Sequence, residues 1–142
     1  MPAVNTDEGT ILEVLNNKSD RDLRNVDTTV KADAVVDYQI PTVENNYTWY
    51  RKYASGWVEQ GGIIATPNAD TTYSVSMPKE ILDTNYLPQL TTTTSNNNAV
   101  IASIYTGNAI TTTGFSFRLS HKYNSAGTPT KTVWQVSGMT AA

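Results

Sequence analysis

Residues 47–62 constrain the fold more than any other stretch, because they place large aromatics in alternation on both sides of a turn. Tyr47-Thr48-Trp49-Tyr50-Arg51-Lys52-Tyr53 alternates, as does Trp57-Val58-Glu59-Gln60-Gly61-Gly62, and Ala54-Ser55-Gly56 lies between them. A period of two puts Tyr47, Trp49, Arg51 and Tyr53 on one face of a strand, and Thr48, Tyr50 and Lys52 on the other. Trp57, Glu59 and Gly61 oppose Val58, Gln60 and Gly62 in the second run. Two such runs around a short Gly-containing loop read as a β-hairpin. The stretch holds two of the three Trp and three of the eight Tyr. In a chain with only two Phe, those rings must supply much of the apolar contact that a small β domain needs.

The rest of the chain follows the same pattern. Ala34-Val35-Val36-Asp37-Tyr38-Gln39-Ile40 reads as a strand stopped by Pro41, which cannot donate to a ladder. Ile63-Ile64-Ala65 continues the second hairpin strand, Thr72 to Met77 alternates up to Pro78, and residues 79–85 read as loop. Residues 86–94 read as an interrupted strand, Ser95-Asn96-Asn97-Asn98 as a turn, and 99–105, the most apolar run, as a buried strand. Phe115, Phe117 and Leu119 share one face of another strand, residues 123–129 form a loop, and 132–137 make the last strand. Eight or so short strands with regular turn signals make a mainly β chain, an antiparallel β-sandwich head. Before it, residues 7–17 read as a short amphipathic α-helix capped by Thr6, with Asp7 and Glu8 in the first turn where the dipole favours them. The expected division is a helical stalk or linker at 1–33 and the head at 34–142. So short a helix is marginal alone. Its apolar stripe needs either its own sheet or other copies of the chain.

Composition removes several functions. A net charge of −3 offers no basic stripe for nucleic acid. No apolar run of about eighteen residues exists for membrane insertion, and the acidic start is wrong for a secretory signal. With no Cys and His121 as the sole His, neither thiolate nor multi-His metal sites can be built within one chain, and no cofactor motif is present. Gly61-Gly62 has no following helix or Lys to make a phosphate loop. The acidic residues outside the N-terminal third, Glu59, Asp70, Glu80 and Asp83, are scattered rather than paired for glycoside cleavage. The expectation is a non-enzyme.

Trp49-Tyr50-Arg51-Lys52-Tyr53-Ala54-Ser55-Gly56-Trp57-Val58-Glu59-Gln60-Gly61-Gly62 resembles the aromatic-turn-Gly-Trp-Val/Ile-Glu-Gln-Gly signature of bacteriophage tail-fibre C-terminal domains. Two further landmarks follow in the same order: a Thr-rich turn before Gly114-Phe115, and the closing strand Trp134-Gln135-Val136-Ser137-Gly138. The resemblance runs from about Val35 to the C-terminus. It implies a homotrimer and a virion location at a fibre tip, joined to an upstream fibre or baseplate protein. It also implies non-catalytic attachment to a host cell-surface glycan or protein. It assigns a structural role to Trp49, Tyr50, Arg51, Tyr53, Gly56, Trp57, Glu59, Gln60 and Gly61. Some fibre tips hold metal through a His-X-His repeat; here His121-Lys122-Tyr123 stands instead, so no metal is expected. Loops on a rigid scaffold carry binding, and Asn, Tyr and His suit adaptable hydrogen bonding. The candidate receptor contacts are therefore Asn85, Tyr86, Asn96, Asn97, Asn98, Asn108, His121, Tyr123 and Asn124. The alternatives are a trimerisation or shaft-capping module and, further off, a glycan-processing enzyme.

Overall fold

The computed structural model describes residues 31–65, 67–104, 109–121 and 127–140. Apart from Lys31 these belong to a unit running from Ala32 to Ala142. The expected helix at 7–17 lies outside the described residues, as do Asn108, Tyr123 and Asn124. The described residues form strands, turns and bends, with no helix among them.

Nine strands are described: β1 (Val35–Gln39), β2 (Trp49–Tyr53), β3 (Trp57–Ala65), β4 (Thr72–Ser76), β5 (Gln89–Thr94), β6 (Val100–Ile104), β7 (Ile110–Thr111), β8 (Gly114–His121) and β9 (Pro129–Met139). They make a five-stranded sheet in the order β1-β2-β3-β9-β5 and a four-stranded sheet in which β4-β8-β6 run side by side and β7 also pairs with β8. Every pairing is antiparallel.

Alternation decides which side chains fill the core. Phe115, Phe117 and Leu119 of β8 are buried, as the sequence expects, and meet Val58, Trp134 and Val136 from the larger sheet. Phe115 contacts Trp134 edge-on with ring centroids 5.7 Å apart, and Tyr73 stacks on Phe117 at 5.6 Å. Burying a ring such as Phe115 or Phe117 contributes about 1.5–3 kcal/mol, while Tyr73 is only half-buried.

Three strands depart from the sequence reading. β6 is the most apolar run but stands at an edge of the smaller sheet. Only Val100, Ala102 and Ile104 pack on the core, while Ile101 is half exposed. β7 occupies part of what reads as a Thr-rich turn, since Ile110 and Thr111 pair with Phe115 and Gly114. β9 extends well beyond 132–137 because β3 and β5 offer it partners along both edges. It starts at Pro129, where a missing N–H is tolerated and the register with β5 shifts.

Candidate functional site

The β2–β3 hairpin forms as its residues dictate. Gly56 adopts φ +88°, a conformation open chiefly to glycine, and its N–H donates to the Tyr53 carbonyl at 2.9 Å. That turn sets the register Trp49↔Gly61, Tyr50↔Gln60, Arg51↔Glu59 and Lys52↔Val58. Tyr50, Val58 and Gln60 face the core. Trp49, Arg51, Tyr53, Trp57, Glu59 and Gly61 consequently occupy the outer face of the larger sheet. There the Tyr53 hydroxyl donates to Glu59 Oε2 at 3.0 Å, and that bond raises the Tyr53 pKa.

The paired glycines make room for two indoles, one on each side of the sheet. A Cβ on Gly61 would lie 2.8 Å from Trp49 Nε1, and one on Gly62 would lie 2.8 Å from Trp134 Nε1. Each Trp lies across its glycine partner on the neighbouring strand. Gln60, fully buried, uses both ends of its amide on one residue: Nε2 donates to the Lys79 carbonyl and Oε1 accepts the Lys79 N–H, each at 2.9 Å. This anchors the β4–β5 connection to the hairpin. The Lys79 ammonium then sits 4.4 Å from the centre of the Tyr50 ring and 2.7 Å from Asp37 Oδ2. The Tyr50 hydroxyl donates to the other oxygen of Asp37 at 3.1 Å. Lys79 and then Tyr50 hold the Asp37 carboxyl below its ordinary value.

On the outer face, an open groove of about 780 Å³ runs across all five strands of the larger sheet. Its walls include Tyr38, Ile40, Trp49, Arg51, Glu59, Leu87, Gln89, Gln135 and Ser137. Tyr38 stands opposite Arg51, Arg51 opposite Glu59, and Glu59 opposite Ser137. Beside that row lies another, Trp49, Gly61, Gln135 and Gln89. Tyr38 is 67% exposed, Ile40 63% and Leu87 76%. The sequence reading gives a role to Trp49, Arg51 and Glu59 but none of their own to Tyr38, Gln89 or Gln135. Only the strand order brings those last three alongside.

The candidate receptor residues divide between opposite ends of the unit. The chain enters beside the hairpin turn, where the Ala54 and Ser55 N–H groups bond to the Ala34 and Ala32 carbonyls. β3, nine residues long, carries the structure about 30 Å to the other end. There Ser95 N–H bonds to the Thr128 carbonyl at 2.9 Å, and Thr128 N–H bonds to Asn96 Oδ1 at 3.3 Å. Asn97 is exposed at this turn and Asn98 is half-buried. His121 joins the same end: Nε2 lies 3.2 Å from Asp70 Oδ2, and Nδ1 accepts the Gly127 N–H at 3.0 Å. With Nδ1 accepting, Nε2 is the nitrogen that carries a proton toward Asp70.

Asn85 and Tyr86 lie at the entry end, near Leu82, whose N–H bonds to the Met139 carbonyl. Asn85 is exposed, but Tyr86 is core rather than a loop contact. Its hydroxyl reaches the carbonyls of Thr111 and Gly114 at 2.7 and 2.8 Å. Burial pushes its pKa up to about 12 from 10.0. The neutral phenol is thus the form that folding favours. Its contribution is complete below about pH 10 and is lost as pH rises through about 12. Thermal melts should show a fall in stability across that window that is smaller in Tyr86→Phe. An equal fall in the variant would remove Tyr86 as a cause.

Among the described residues, no three His, Asp or Glu side chains gather closely enough to hold a metal ion. No family model matches the sequence, and no curated protein matches it. Among solved structures, the chain is similar to an N-truncated R2-type pyocin tail fibre, with a TM-score of 0.48 and 16% identity over 74% of this chain and 39% of that one. It is also similar to a C-terminal portion of the P. aeruginosa R2 pyocin fibre, with a TM-score of 0.48 and 16% identity over 74% of this chain and 26% of that one. The chain thus spans less than half the length of either.

Proposed function

We propose that this chain is the receptor-binding head of a phage-type tail fibre, working as a homotrimer. In this reading the two sheets form a β-sandwich, and the N-terminal segment leads to an upstream fibre or baseplate protein. The far loops attach to a host cell-surface glycan or protein without cleaving it. One observation carries the reading: Asn96, Asn97, Asn98 and His121 gather at the end opposite the chain's entry, where a head on a stalk would meet its target. Three copies, on several fibres, would turn weak single contacts into useful adhesion.

A non-catalytic role accords with the chemistry of that end. Both His121 ring nitrogens are engaged, which leaves neither to take a proton from a nucleophile. Asp37, Glu59, Asp70 and Glu80 each bond to a different partner: Lys79, Tyr53, His121 and Thr112. The trimerisation or shaft-capping alternative draws its support from the exposed apolar side chains around the groove. It needs no far loops.

Retention of the purified full chain on cells of a panel of bacterial strains separates the two. Asn97→Trp, a bulky change at an exposed turn, should weaken retention at least tenfold while leaving the melting temperature unchanged. Retention that Asn97→Trp leaves intact contradicts a far-loop contact. A chain that binds no strain its parent particle infects leaves the shaft-capping alternative standing.

A further inference from the structure

Histidine is the one side chain that ordinarily changes charge between about pH 5 and 8, and His121 is the sole His of the chain. Its neighbours dictate the form of the ring. Nδ1 faces the Gly127 N–H at 3.0 Å, and a backbone N–H can only donate. Nε2 faces the Asp70 carboxylate at 3.2 Å, which can only accept. Together they select one neutral tautomer, with the proton on Nε2 and a lone pair on Nδ1. Protonation adds a hydrogen to Nδ1, and two N–H groups then point at each other. The bond to Asp70 meanwhile becomes charge-assisted, so the ring stays beside Asp70 and gives up Gly127.

Gly127 is wedged against the turn that carries Asn96, Asn97 and Asn98. A Cβ there would lie 2.5 Å from Val100 Cγ2 and 3.1 Å from the Asn98 carbonyl oxygen. Thr128, next in the chain, accepts the Ser95 N–H and donates its own to Asn96 Oδ1. Val100 in turn stands opposite His121 in the β6–β8 register. The ring, Gly127 and the Asn turn are thus one contiguous set. We propose that His121 is a proton-operated latch: the neutral ring holds Gly127 and through it the Asn turn, and the protonated ring releases both. The proposal rests on the far-loop attachment reading and gives that site a regulation, attachment weakening as pH falls.

The surrounding charges leave the ring to act alone. Asp70, with φ +58°, reaches both the Nε2 of His121 and its backbone N–H, the latter at 3.4 Å. Across the ladder β6 offers only neutral Val100. Arg118 of β8 and Lys131 of β9 alternate onto the faces away from buried Leu119 and Thr132.

Nuclear magnetic resonance of the full chain between about pH 8 and 5 tests the latch. The ring nitrogen shifts should report a proton on Nε2 alone at the alkaline end. As the ring titrates, exchange of the Gly127, Thr128 and Ser95 amides, corrected for the intrinsic effect of pH, should quicken with the same midpoint. The expected change is roughly five- to tenfold, the effect of losing one ordinary hydrogen bond. Amides of the β3–β9 ladder should stay protected, which separates release of the turn from general unfolding. His121→Asn keeps an acceptor near the place of Nδ1 but does not titrate, and should abolish the response. A proton on Nδ1 at the alkaline end, or a Gly127 amide indifferent to the ring, overturns the proposal. So does an unchanged response in His121→Asn. Retention on cells should fall toward the acid end by about the same factor, while His121→Asn, whatever its starting retention, should show no such fall. Retention that stays constant while the amides open also overturns the proposal. A chain that binds no strain at any pH ends the attachment reading, and the exchange rates still decide the latch.

Discussion

Trp134→Ala is expected to lower the free energy of unfolding by about 3–5 kcal/mol, the range for removing a buried Trp or Phe, and the melting temperature by roughly 10–20 °C. Trp134 is 2% exposed and stands where the two sheets meet, edge-on to Phe115 and across Gly62. Neither side can collapse into the space it leaves. The Gly62 position has no side chain to offer, and Phe115 is fixed by its strand pairing with Val75 and Ile110. Urea and thermal unfolding measure the loss. A cost near 1 kcal/mol would mean that the two sheets are held together elsewhere.

Gln60→Leu should be nearly as damaging although it puts an apolar side chain into an apolar place. The native amide satisfies both the N–H and the carbonyl of Lys79. Leucine leaves two part-buried backbone groups of Lys79 without these partners; at up to about 1–3 kcal/mol for each group left unsatisfied, a total near 2–4 kcal/mol is expected. Gln60→Glu keeps the shape but turns a carboxylate toward the Lys79 carbonyl, and should be at least as costly. If Gln60→Leu unfolds at the same urea concentration as the unaltered chain, the bonds to Lys79 contribute nothing. The account of how the hairpin anchors the β4–β5 connection then fails.

What could be read from the residues was what alternation and local turn chemistry determine. The Ala54-Ser55-Gly56 turn, the hairpin faces and the Phe115, Phe117 and Leu119 stripe depend on neighbours in sequence, and they fold as read. What failed depends on neighbours in space. Residues 99–105 looked buried because composition cannot tell an edge strand from a central one. Tyr86 looked like a loop contact because its partners, the Thr111 and Gly114 carbonyls, lie more than twenty residues away. Likewise, the sequence separates Asn85 from Asn96 by only eleven positions, yet β5 carries them toward opposite ends of the sheet. The groove stayed hidden for the same reason. Tyr38, Glu59 and Gln135 become neighbours only once β1, β2, β3 and β9 line up. In the Gly61-Gly62 pair, only the cross-strand register shows which indole each glycine accommodates.

The measurement that most directly tests a head completed by its own copies is the mass of the purified full chain by light scattering. At micromolar concentration the account predicts three times the 15.5 kDa of one chain. A single, well-folded chain of 15.5 kDa that still unfolds cooperatively would contradict it.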